Sequence, residues 1–175
     1  MGVIKVVTPA VRRRLITGGG VTAGVVGGAV IALVMLAMAA SAGQNLWPVL
    51  KGASAPFFHA RAMARGFDAG PLMIGVLIHF GVSIVWGILF AMVVFGLSKP
   101  ATIAMGALWG IIVFLVMHFI VLPLVMTGGH APRASSMAVP IIEHILFGLA
   151  VGIGFLPFQR ERPEHLPWWR EHRVH

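Results

Sequence analysis

The sequence predicts an all-α fold: an integral membrane four-helix bundle with a short interfacial helix between spans one and two. Three observations predict it. Of the 175 residues, 58% are hydrophobic and 10% charged, against about 25% charged in soluble domains. The charges fall almost wholly between four uncharged runs, each long enough for the roughly 20 residues that cross a bilayer. Within those runs small residues recur every fourth position, the spacing that lets membrane helices approach closely. The absence of Cys excludes disulfide frameworks, Cys zinc sites and thiol catalysis.

Residues 1–14 form a basic N-terminus carrying Lys5, Arg12, Arg13 and Arg14. Span one covers about 15–42 and is ended by Gly43, Gln44, Asn45 and Pro48. Its basic flank and Ala40-Ser41-Ala42 imitate a signal peptide, and Arg13-Arg14 a twin-arginine signal. A signal peptide's apolar core has about 7–15 residues, however, and this run has span length. The connection 44–70 is neither polar enough for disorder nor apolar enough to span. Trp47, Phe57, Phe58 and Phe67 suit the interface, with His59, Arg61 and Arg65 reaching headgroups, so it is expected to lie on the membrane as a lid. Span two is 71–97. Span three, 101–127, is opened by Pro100 and closed by Gly128-Gly129, and span four, 137–158, holds Glu143, the only acid in any span. The tail 159–175 carries Trp168 and Trp169 as interfacial anchors.

Four spans put both termini on one face. That face gathers nine basic residues, Lys5, Arg12, Arg13, Arg14, Lys99, Arg160, Arg162, Arg170 and Arg173, against four on the other, Lys51, Arg61, Arg65 and Arg133. The positive-inside bias therefore predicts cytoplasmic termini. The net charge of +8 is explained by anionic headgroups beside the spans and calls for no nucleic acid.

The helix-packing rows are Gly20, Gly24, Gly28 and Ala32 in span one; Gly75, Ser83, Gly87 and Ala91 in span two; Thr102, Gly106 and Gly110 in span three; Gly148 and Gly152 in span four. His79 fills the gap between Gly75 and Ser83, His144 precedes Gly148, and His118 lies eight residues beyond Gly110. All three are expected to point into the bundle, with Glu143 about 100° from His144. At 1.5 Å per residue their depths below the outer end come to about 11–14 Å, a single layer. The candidate site is therefore His79, His118, Glu143 and His144 with Ser83, in the outer half, while the inner half has no ionisable group.

Ionisable groups inside a bilayer are costly unless paired or wet and mark function by default. Several roles fit the residue types. A Glu beside a His offers acid and base for a proton or small cation. Paired histidines on facing helices suit haem b. Imidazole with Met35, Met38, Met73, Met117, Met126 and Met137 suits copper, although Met also fills packing gaps. A hydrogen-bonded knot of His and Glu143 would be purely structural, as in an accessory membrane subunit. No fixed cofactor is expected under the proton or cation reading, and no catalytic triad, P-loop or dinucleotide fingerprint is present, so the role is expected to be non-enzymatic. The expected partners are the lipid bilayer and copies of the chain itself, joined through an exposed Gly row.

Gly43-Gln44-Asn45-Leu46-Trp47-Pro48, Gly75-Val76-Leu77-Ile78-His79-Phe80 with Ser83 and Gly87, Val121-Leu122-Pro123, and Glu143-His144-Ile145-Leu146-Phe147-Gly148 with Gly152 resemble a group of small four-span bacterial inner-membrane proteins of unknown function. The likeness covers about residues 15–156 and implies a bacterial inner-membrane location. It also implies the histidines at 79 and 144, and His118 less clearly. A weak internal repeat pairs spans one and two with spans three and four, each second helix having Pro71 or Pro140 near its start and a following His. It predicts a pseudo-twofold about the membrane normal with His79 and His144 as equivalents.

Overall fold

The computed structural model describes residues 8–125 and 137–160. Trp168, Trp169, Met126, Arg133, most of the tail and the end of span three lie outside the described residues. Among the described residues four helices have the length and composition to cross a membrane: Pro9–Ser41, Ala69–Val94, Lys99–Val125 and Ala138–Phe158. The chain is a multi-pass membrane protein.

Helix α1 (Pro9–Ser41) starts six residues before the predicted Leu15, because Thr8 caps it and Pro9 supplies a preset first turn. At 1.5 Å per residue its length is about 50 Å, so Arg12, Arg13 and Arg14 ride on a helical extension. At its other end the N–H groups of Gly43 and Gln44 return to the carbonyls of Ala40 and Ala39, and Gly43 takes φ 64°, as a helix C-terminus requires. The connection then folds into short pieces, α2 (Trp47–Lys51), a 3-10 turn (Gly52–Ser54), α3 (Ala55–Phe58) and α4 (Ala60–Met63), here called the cap. Next come α5 (Ala69–Val94) and α6 (Lys99–Val116), which continues through a π turn (Met117–Val121) into α7 (Leu122–Val125). Last are α8 (Ala138–Phe155) and a closing 3-10 turn (Leu156–Phe158).

Glycines set the helix pairs. A Cβ on Gly24 would fall 2.5 Å from Ile84 Cα, and Gly87 sits against the backbone of Gly20 and Gly24, so α1 and α5 touch main chain to main chain. Gly106, Gly110 and Gly148 do the same for α6 and α8, with Gly152 3.5 Å from Gly106 Cα by the same measure. A third seam, α1 on α8, sets Gly27 against Val151 and Phe147, and Gly154 against Ala23. Gly20 packs on Ile88, and Gly28 on Ser83 and Phe80. Gly75 departs from expectation. Its space is taken by Leu50 O and Lys51 of the cap. A four-residue row drifts about 40° per step, so Gly75 has rotated away from the face that holds Gly87. These rows are all used within one chain.

The helices run α5, α1, α8, α6 around an arc, and α5 and α6 meet sparsely. In the half nearer the termini aromatic rings fill that gap: Trp86 on Trp109 at 5.8 Å, Phe90 on Trp109 at 5.8 Å and Phe90 on Phe155 at 6.4 Å. The Trp109 Nε1 there is the one buried side-chain polar atom without a partner among the described residues. Below the rings Gln159, assigned to the tail from sequence, is buried. Its amide donates to Val94 O (2.8 Å) and Thr102 Oγ1 (2.6 Å), and its Oε1 accepts from Gly96 N (2.9 Å). Gln159 thus ties the end of α8 to the α5–α6 turn. Gln159→Ala should cost about 2–3 kcal/mol through the unsatisfied groups left behind, read as a lower thermal midpoint in detergent.

The repeat is visible in the glycine seams but not in the register expected. Gly24 faces Ser83 O as Gly110 faces His144 O, and Gly87 lies between Gly20 and Gly24 as Gly148 lies between Gly106 and Gly110. His144 therefore corresponds to Ser83, and His79 to Pro140, one turn further. The symmetry is also broken at the seams, since α1 packs closely on α8 while α5 and α6 stand apart.

Candidate functional site: a cavity under the cap

The gap between α5 and α6 that aromatics fill at the terminal end is left open toward the cap, as a cavity of about 260 Å³. Each helix lines it with one face. From α5 come Ile78, His79, Val82, Ser83 and Trp86; from α8 Glu143, His144 and Phe147; from α6 Val113, and from the π turn after it Met117; from α1 Ile31 and Met35. Spacings of three and four put these residues on common faces. Ala53 of the cap also lines it.

His79 donates from Nε2 to Gly28 O at 2.9 Å, and Ser83 Oγ donates to His79 O at 2.8 Å. His144 donates from Nδ1 to Pro140 O at 2.8 Å. A carbonyl only accepts, so both bonded ring nitrogens carry hydrogen. Glu143 makes no hydrogen bond or ion pair with any described residue. The His–Glu knot expected of a purely structural layer is therefore not formed among the described residues, since His144 turns to its own backbone.

His118 does not line the cavity. It packs on Phe114 at 5.0 Å, and Phe114 in turn lies 5.6 Å from His144. Two helical turns span 7.2 residues, so Met117, seven from Gly110, faces inward where His118, eight away, has rotated past. Among the described residues no three of His, Asp and Glu converge as metal ligands. Met38, Met73 and Met137 lie on the outside at 42%, 64% and 42% exposure, leaving Met35 and Met117 at the cavity. The volume lies below the roughly 300–1,000 Å³ of sites for drug-sized ligands.

The cap is held by a residue that the sequence marks only as one of four basic groups on the outer face. Lys51 is fully buried, and its Nζ donates to the carbonyls of Ala64 (2.7 Å), Gly66 (3.1 Å) and Arg61 (3.3 Å). Ala64 O and Gly66 O lie beyond the end of α4, and Arg61 O, within its last turn, also accepts from Ala64 N; a helix C-terminus favours a cation. Ser54 Oγ donates to Lys51 O at 2.7 Å, and Trp47 meets Phe67 edge to face at 5.5 Å. His59 joins α3 to α4 at φ 45°, an uncommon backbone for a non-glycine residue. The Arg61–Asp68 pair, 3.0 Å, is exposed and adds little. No protein-family model matches the chain, and no match was found among curated proteins or solved structures.

Proposed function

We propose that this is a bacterial inner-membrane protein, with both termini cytoplasmic, that takes up a proton or small cation at Glu143 from the outer side. The observation that carries this reading is a carboxyl group without a protein partner among the described residues, lining a cavity inside a membrane bundle. Such a group is costly in hydrocarbon unless it is wet, protonated or matched by a ligand. Basic groups at the other end support the orientation: Arg12 lies 5.7 Å over Phe95 of the α5–α6 turn, near the end that holds Gln159 and Arg160. The aromatic layer and the Gln159 clamp present no ionisable side chain, which favours binding over conduction through a single chain. If copies associate, they do so through surfaces other than the glycine rows used internally.

The test is reaction with dicyclohexylcarbodiimide, which attacks protonated carboxyls in apolar surroundings. Glu143 should be labelled in the purified protein, less as pH rises and less in the presence of a bound cation, and Glu143→Gln should remove that adduct in mass spectra. Labelling that ignores both pH and cations would instead favour an accessory or structural subunit.

A further inference from the structure

We infer that the cavity under the cap binds a small organic ammonium ion, a primary amine carrying a compact apolar body, in preference to a bare metal ion. This rests on the reading of Glu143 as a cation site. A dehydrated alkali or alkaline-earth ion takes about six or more oxygen ligands, whereas the lining supplies one carboxylate and one serine hydroxyl. What the lining does supply suits an amine. The Glu143 carboxylate and the lone pairs of Ser83 Oγ are acceptors, and an imidazole in its neutral form adds the ring nitrogen that His79 or His144 leaves unengaged. An –NH₃⁺ group offers three donors. The remaining wall is apolar, with Trp86 and Phe147 among it. No three His, Asp or Glu side chains converge on one point among the described residues, which disfavours a metal ion but not an ammonium paired with Glu143 whose apolar body lies along the wall. Mostly apolar concave surface with a few polar groups is how small-molecule sites are built, and aromatic rings favour cations over neutral isosteres. A space of about 260 Å³ far exceeds the share of one water, about 30 Å³, and so admits a substituted amine.

The experiment is isothermal titration of the full chain in detergent at neutral pH with benzylammonium chloride, benzyl alcohol, sodium chloride and ammonium chloride. Benzylammonium should bind saturably. Benzyl alcohol, the same shape without charge, should bind at least about ten-fold more weakly, as should benzylammonium to Glu143→Gln, since each change removes one side of the charge pair. Ala53→Leu, which extends the cap into the cavity while leaving Glu143 in place, should weaken benzylammonium and keep the carbodiimide adduct. Equal binding of benzyl alcohol, or unchanged affinity in Ala53→Leu, would overturn the inference. Saturable sodium or ammonium binding without benzylammonium binding would overturn it too, yet leave Glu143 as a cation site. No cation binding, together with labelling that ignores cations, would remove both.

Discussion

Gly148→Val is expected to abolish the folded bundle while leaving the chain helical. The valine Cβ would overlap the Gly106 carbonyl oxygen and the Gly110 backbone. Those atoms are main chain, so no rotamer change relieves the clash and α8 must separate from α6. Overpacking in a rigid core costs about 1–3 kcal/mol where side chains yield; here the cost should exceed about 4 kcal/mol, the range of outright structural failure. The readout is loss of the monodisperse peak in gel filtration, with far-ultraviolet dichroism little changed. Gly81→Ala is the control. Its Cβ would meet nothing within 4 Å, and a helix interior gains about 0.5–1 kcal/mol from alanine over glycine. Comparable loss from both variants would mean that the seam is not the source of stability.

Lys51→Met is expected to free the cap. Methionine keeps the buried chain but removes all three donors, leaving the carbonyls of Arg61, Ala64 and Gly66 without that partner. Arg61 O keeps the Ala64 N–H as a donor and the three bonds are only part-buried, so the cap should lose about 1.5–3 kcal/mol, the scale of hydrogen bonding to a charged group, while α1, α5, α6 and α8 keep their seams. The measurement is limited trypsin cleavage after Arg61 and Arg65, which should quicken at least about ten-fold, on the scale of 1.4 kcal/mol per decade. An unchanged rate would show that the ammonium does not hold the segment.

The contrast between these residues explains what the sequence could reveal. Gly148 belongs to a periodic pattern, and periodicity survives translation into structure because the helix repeat is fixed. The spans, most glycine seams and the inward turn of His79 and His144 were legible for that reason. Rows fail as distance grows, since drift accumulates: Gly75 and His118 each sit at the end of a row and have rotated off its face. Lys51 and Gln159 carry no such signal. Their partners are mostly backbone groups, 10–15 residues away for Lys51 and 63–65 for Gln159, and a carbonyl or amide looks the same in every residue. The asymmetric gap between α5 and α6, which makes the cavity, depends on large aromatic side chains filling one half of it and not the other.

Cysteine accessibility offers the most direct measurement. The natural chain contains no Cys, so Ser83→Cys places a single, nearly isosteric thiol on the cavity wall beside Glu143 and His79. In oriented membranes, a small impermeant cationic methanethiosulfonate added on the cap side should modify this thiol and, added on the side of the termini, should leave it intact behind the aromatic layer. A thiol that is inert from the cap side, or that reacts equally from both, would contradict a water-reachable cation site closed at its inner end.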